Sequence, residues 1–213
     1  MDVLDKLKND WQKNGDRYPR ISEHEIYGML HKKSSSIVKW ILLISIIEFA
    51  VFLTLSLMLS DTQNAKTMVN YMGEVLNITF TVIDMGINVV FMYLFYINYK
   101  KIKNTDKVKN LMANILKSRK IVSRYIMVKL IATFILALIS IQYVHTYDPK
   151  WIELFQEAEQ EGKGFVINLL YYGVGIIAIL LFVALFWLFY KLIYGFLLKR
   201  LNRNYQELKK IEI

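Results

Sequence analysis

Four runs of mostly apolar residues divide this chain, and each is long enough to cross a lipid bilayer. They cover roughly residues 37–59, 75–99, 121–144 and 165–195. A membrane-spanning helix needs about 20 predominantly apolar residues, because the helix satisfies its own backbone hydrogen bonds in lipid. The pattern therefore predicts an all-α polytopic membrane protein with a four-span transmembrane bundle at residues 37–198.

The helical pattern extends past the first and last runs. Ser22, followed by Glu25 three residues later, forms a capping box that predicts one helix from about residue 22 to about residue 59. Apolar residues at helical spacing also lead from residue 108 straight into the third run, and from the fourth run to about residue 208. We expect residues 1–36 to form cytoplasmic amphipathic helices and residues 199–213 to form a cytoplasmic helical tail.

A short amphipathic helix is predicted between the third and fourth runs. Asp148 suits its N-cap, Pro149 its first turn, and Gly162 its end. Its apolar face consists of Trp151, Leu154, Phe155 and Ala158. We expect this helix to lie on the outer membrane surface.

Basic residues are concentrated on one side of the predicted bundle. The segment through Lys39 holds eight Lys and Arg residues, the middle loop through Arg124 holds nine, and the tail from Lys191 holds six, against three in the two opposite loops. The positive-inside rule then places both termini in the cytoplasm. The net charge of +9 lies beside the apolar runs, which fits anionic lipid head groups better than a nucleic acid.

The second run carries a polar face, preceded by a short polar loop at residues 60–67. Polar residues recur there at alternating steps of four and three, which places them on one side of a helix. They are Asn70, Glu74, Asn77, Thr81, Asp84 and Asn88. A carboxylate in the middle of a span is costly, so this face is expected to contact protein or water.

Charged and amide side chains from other runs lie at similar depth. Glu48, Lys129 and Asn88 are expected near one level, with Asp84 one turn further out and Asn168 near the outer edge. One interpretation is a proton or ion path, or a polar switch whose protonation changes helix packing. The other is a buried Glu48–Lys129 pair, with amides and hydroxyls holding four helices together. Because acids outnumber bases here, Asp84 is expected to be protonated or to face water.

Enzymatic and metal sites are not predicted. The chain has no cysteine and only three histidines, which are scattered. It lacks the His-Glu-x-x-His, Walker and Gly-x-Ser-x-Gly motifs. We expect no catalytic residue, no metal and no cofactor.

The N-terminal helices carry apolar side chains that either bind a partner protein or cover the end of the bundle. These residues are Leu4, Leu7, Trp11, Ile26, Tyr27 and Leu30. The sequence alone does not decide between the two roles, and it leaves a homo-oligomer open.

Two stretches near the N-terminus resemble an uncharacterised family of small bacterial four-span membrane proteins. They are Asp5-x-Leu7-Lys8-x-x-Trp11 and, at residues 21–40, IS-x-x-EIY-x-MLHKKSSSIVKW. Members are sometimes encoded beside extracytoplasmic-function sigma factors, which implies a multi-pass regulator of the bacterial inner membrane. Some are described as carotene-cleaving oxygenases, which hold iron with four histidines, whereas this chain has three.

The predicted function is therefore a non-enzymatic membrane regulator or scaffold that binds a protein partner through its N-terminal helices. The alternative is a small-solute or proton-coupled ion transporter that uses the polar residues of the spans. A water-filled cavity reaching Asp84 from one side would favour the transporter, and a packed core would favour the scaffold.

Overall fold

The computed structural model describes residues 22–105 and 107–211, and within these residues all regular structure is helical. The six helices are α1 (Glu23–Ser60), α2 (Gln63–Met72), α3 (Glu74–Lys103), α4 (Val108–Tyr147), α5 (Pro149–Gln160) and α6 (Gly164–Ile211). Four of them, α1, α3, α4 and α6, are long and apolar enough to cross a membrane. The predicted all-α, four-span class is thereby confirmed. Leu4, Leu7 and Trp11 lie outside the described residues.

Helix α1 begins at the predicted capping box. The backbone N–H of Glu25 donates to Ser22 Oγ at 3.2 Å, and the backbone N–H of Ser22 donates to Glu25 Oε2 at 3.0 Å. The helix then continues for 38 residues without a break. Residues 22–36 therefore extend the first span directly.

The segment between the first two spans differs from the prediction. It forms a separate helix, α2, capped by the side chain of Thr62 and ended at Gly73. Gly73 has a φ of 77°, a left-handed conformation that glycine adopts without steric cost. The chain changes direction there, so Asn70 does not share a helix with Glu74. The predicted loop is wrong, and the polar face of α3 starts after Gly73.

The predicted amphipathic helix is present as α5. Asp148 caps it by accepting from the backbone N–H of Lys150 at 3.0 Å. The helix packs on the start of α6, where the Trp151 and Tyr171 rings lie 4.0 Å apart between centroids. Ala158 is buried, whereas Leu154 is exposed. Only part of the predicted apolar face is thus left to contact a membrane.

Two apolar clusters hold the four long helices together. We call one end of the bundle the basic end; it contains Ser22, the turn after α3 and the last turns of α6. The first cluster lies at this end. Its buried members are Leu30, Val38, Ile102, Leu111, Ile115, Leu201 and Leu208. The second lies further along and contains Ile41, Phe95, Ile121, Val122, Tyr125, Tyr190 and Tyr194. All four helices contribute to both clusters, so the bundle stays packed beyond the spans.

The start of α1 is fastened to the turn after α3. Tyr27 donates its hydroxyl to the Thr105 carbonyl at 3.1 Å, and His31 Nε2 lies 2.8 Å from the Ile102 carbonyl oxygen. Leu30 is only 3% exposed, and Ile26 and Tyr27 pack against the same cluster. These three side chains cover the end of the bundle. Leu30 in particular is not accessible to a partner, contrary to one of the two predicted roles.

Candidate functional site

A glutamate on α1 is enclosed by three tyrosines from two other helices. Glu48 Oε1 accepts from the hydroxyl of Tyr125 at 2.8 Å and from that of Tyr190 at 2.6 Å. Glu48 Oε2 accepts from the hydroxyl of Tyr194 at 3.0 Å. We call Glu48, Tyr125, Tyr190 and Tyr194 the tyrosine cluster. It joins the middle of α1 to α4 and α6.

The local sequence explains why these side chains meet. Tyr190 and Tyr194 are four residues apart, so both project from the same face of α6. The Tyr125 ring makes edge-to-face contacts with both, at 6.0 Å between centroids in each case. Such contacts add to the burial of the rings and fix their orientation. The three hydroxyl groups therefore converge on one carboxyl group, and all four side chains are buried.

A second polar group lies beside the tyrosine cluster. Lys129 Nζ is 2.5 Å from Asp84 Oδ1. The side-chain amide of Asn88 donates to Asp84 Oδ2 at 3.0 Å. The Tyr125 hydroxyl lies 3.4 Å from Asn88 Oδ1, so it connects the two groups through Asn88. Together they link all four long helices.

The predicted Glu48–Lys129 pair is wrong, because Lys129 pairs with Asp84. Glu48 already accepts hydrogen bonds from three hydroxyl groups. Asp84 of α3 is therefore the acid that pairs with Lys129. The Asp84 side chain is 49% exposed, whereas that of Lys129 is 11% exposed. Asp84 thus faces outward in part, and the expectation that it is protonated or faces water stays a prediction.

Three other predicted members of the network lie elsewhere. Asn77 and Thr81 are exposed, and the Thr81 hydroxyl donates to the Asn77 carbonyl of its own helix at 2.9 Å. Asn168 lies at the opposite end, with its Oδ1 2.8 Å from His145 Nε2. At the helical rise of 1.5 Å per residue, Asn168 is about 33 Å along α6 from Tyr190. The polar network is therefore smaller than predicted.

Sequence reasoning missed the three tyrosines. Tyrosine is common both in packed cores and at membrane interfaces, so its position in a span does not by itself indicate a buried role. A signal was nevertheless present, because Tyr125 precedes Lys129 by four residues and so shares its face of the helix. The four-residue spacing of Tyr190 and Tyr194 is a second signal of the same kind.

The arrangement consists of hydrogen bonds and one ion pair between side chains of the chain itself. Within residues 22–105 and 107–211, no three His, Asp or Glu side chains come together as a metal site requires. The carboxyl group of Glu48 contacts hydroxyl groups of the chain itself. What the described site does physically is hold four helices in one relative position.

Comparison with curated proteins and with solved structures finds no match to this chain. A family model described as a domain of unknown function (DUF8845) matches residues 24–213. The matched region contains all six helices except the first residue of α1, and it includes both polar groups. The chain therefore belongs to the DUF8845 family.

Proposed function

We propose that this chain is a non-enzymatic regulator or scaffold of a bacterial inner membrane, with both termini in the cytoplasm. In this proposal a protein partner binds the N-terminal segment, including Leu4, Leu7 and Trp11. The observation that carries it is the tyrosine cluster. A buried carboxyl group with three internal donors suits a fixed connection between helices better than a path for solutes.

The second polar group supports the same conclusion. Asp84 contacts both Asn88 and Lys129, and Tyr125 lies between Asn88 and Glu48. Each of the four long helices thus supplies at least one member of the network. Polar networks in which every member has a partner rigidify a core and specify one arrangement.

The four long helices also pack against one another at the basic end. α1, α3, α4 and α6 remain packed there around the first apolar cluster. Two further contacts join them, one between Asn98 and Ser118 and one from the Asn204 amide to Ser34 Oγ at 3.1 Å. Residues 1–21 precede α1 directly, so a rigid support would present them to a partner.

Site-specific cross-linking tests the proposed partner interaction. A photo-activated amino acid replacing Trp11 in the full-length chain is expected to form an adduct of defined mass with one protein in native membranes. The matched control carries the same group in place of Leu57, an exposed residue near the opposite end of α1. No protein adduct at position 11, or the same adduct at both positions, would contradict the proposal.

The transporter remains a second candidate, favoured by the exposure of Asp84 beside the enclosed Lys129. Intramembrane ionisable residues commonly mark ion and proton paths. Proton flux into vesicles containing the purified chain would then exceed that into empty vesicles, and Asp84→Asn would abolish the excess. Equal flux into protein-containing and empty vesicles, measured with an internal pH dye, would exclude proton transport under those conditions.

A further inference from the structure

A cationic cleft of about 800 Å³ lies between α4 and α6 near the basic end. Four basic side chains line it: Arg119, Lys120 and Arg124 from α4, and Lys199 from α6. The Arg119 guanidinium donates to Asn202 Oδ1 at 2.7 Å, which fixes its position in the cleft. The cleft therefore gathers positive charge from two helices around one open space.

Among the described residues, no acidic side chain pairs with this charge. The described lining residues include no acid. Across the part of the chain that the structure describes, the ion pairs involve Lys66, Lys129, Lys163 and Arg203, and none of the four basic residues of the cleft. A cluster of cations held close together without counter-ions attracts an anion, and guanidinium groups suit phosphate oxygens.

An apolar groove of about 410 Å³ continues from the cationic cleft. It shares Ser123, Gly195 and Leu198 with the cleft. Its other lining residues are Ile126, Met127, Leu130, Trp187, Tyr190 and Lys191. Lys191 is the one charged residue among the described lining residues, and its ammonium group lies over the Trp187 ring at 4.6 Å from the centroid. The groove thus runs along α4 and α6 within their membrane-spanning segments, while the cleft lies at the edge of those segments.

The dimensions suit a lipid. On α4 the groove runs from Ser123 to Leu130, about 10 Å at the helical rise of 1.5 Å per residue. This length covers about two thirds of one half of a bilayer core that is about 30 Å thick. Gly195 lies where cleft and groove meet, and a Cβ there would have only Lys191 Cγ within 4 Å, at 3.8 Å. The passage between the two is therefore open.

We infer that the cleft and the groove together bind one anionic glycerophospholipid. Its phosphate group lies among Arg119, Lys120, Arg124 and Lys199, and one acyl chain follows the groove. A soluble phosphate compound would use the cleft but gain nothing from the groove. The continuous apolar surface is the feature that favours a lipid over a free anion.

The acyl chain would contact the tyrosine cluster. Tyr190 lines the groove, and its hydroxyl donates to Glu48 at 2.6 Å. A lipid bound in this position would pack against a ring that holds α6 to α1. Because a ligand that binds only the folded state stabilises it, lipid binding is expected to raise the unfolding temperature.

Native mass spectrometry of the full-length protein in mild detergent tests the site, with phosphatidylglycerol and phosphatidylcholine as probes. The variant Lys120→Gln/Arg124→Gln/Lys199→Gln is expected to retain phosphatidylglycerol at least about tenfold less tightly, since each cation near the head group contributes substantially. The matched control, Lys109→Gln/Lys117→Gln/Lys210→Gln, removes three exposed lysines of the same end from outside the cleft. Equal retention by the two variants, or equal binding of both lipids, would overturn the inference.

The groove is tested separately, without changing any charge. Gly195→Leu fills the passage and is expected to lower phosphatidylglycerol binding and the accompanying rise in unfolding temperature. Gly173→Leu, on the same helix and also with open space around it, is the control and should change neither. Full binding by Gly195→Leu, or displacement of the lipid by excess inorganic phosphate, would reduce the site to a simple anion site and overturn the lipid assignment.

Discussion

Replacing Glu48 with alanine is expected to lower the free energy of unfolding by about 3 kcal/mol, because it leaves three buried hydroxyl donors without their acceptor. The hydroxyls of Tyr125, Tyr190 and Tyr194 all point at the carboxyl group. The Tyr125 hydroxyl also lies 3.4 Å from a second acceptor, Asn88 Oδ1. Titration of the purified protein with a denaturing detergent, followed by circular dichroism, measures the effect.

Two variants serve as controls for Glu48→Ala. Glu48→Gln retains one carbonyl oxygen for two of the hydroxyls, so we expect a loss of only about 1 kcal/mol. Glu153→Ala removes an exposed carboxyl group on α5 and should leave stability unchanged. A Glu48→Ala protein within about 0.5 kcal/mol of the original, the range usual for surface changes, would show that the tyrosine cluster does not hold the helices together.

Replacing Asp84 with asparagine is expected to destabilise the bundle by about 2 kcal/mol, because it leaves the enclosed Lys129 ammonium without its counter-charge. We place the value below that for a fully buried pair, since half of the Asp84 side chain is exposed. Lys129→Met should lower the free energy of unfolding by less than Asp84→Asn does. In that variant Asp84 still accepts from the Asn88 amide, and its side chain is half exposed. Detergent titration of both single variants measures this order.

The double variant Asp84→Asn/Lys129→Met tests whether the two residues act as a pair. It should be more stable than Asp84→Asn alone, because the unpaired ammonium is removed together with its partner. If the effects of the two single variants simply add, the contact between Lys129 and Asp84 does not contribute to stability. In that case the exposure of Asp84 would need another explanation.

Much of the fold was predictable because it depends on local chemistry. The long apolar runs specify helices that satisfy their own backbone in lipid, and all four are found. The ends of α1 and α5 follow from side chains next to them in sequence, Ser22 with Glu25 and Asp148 with Pro149. Helix α2 was missed although Gly73 marked its end, because a polar stretch between two spans suggests a loop.

The candidate site was predicted only in part. Glu48, Asn88 and Lys129 were expected near one level and Asp84 one turn further out, and the structure connects all four through hydrogen bonds and one ion pair. The predicted ion pair joined Lys129 to Glu48 instead of Asp84. The three tyrosines that donate to Glu48 were not considered. Asn77 and Thr81 were included because residues on one face of a helix were assumed to share one environment along its whole length. Asn168 was included as a polar residue near the outer edge of the fourth run.

The sequence by itself determined the four long apolar helices, the helical extensions and the positions of the charged side chains along them. Only the tertiary structure decided that Lys129 pairs with Asp84 and that Glu48 accepts from Tyr125, Tyr190 and Tyr194. The reason is that a hydrogen bond requires its two atoms to lie about 3 Å apart in a narrow range of directions. Rotating a helix by one residue about its axis changes every such distance, while it leaves the hydropathy of the run unchanged.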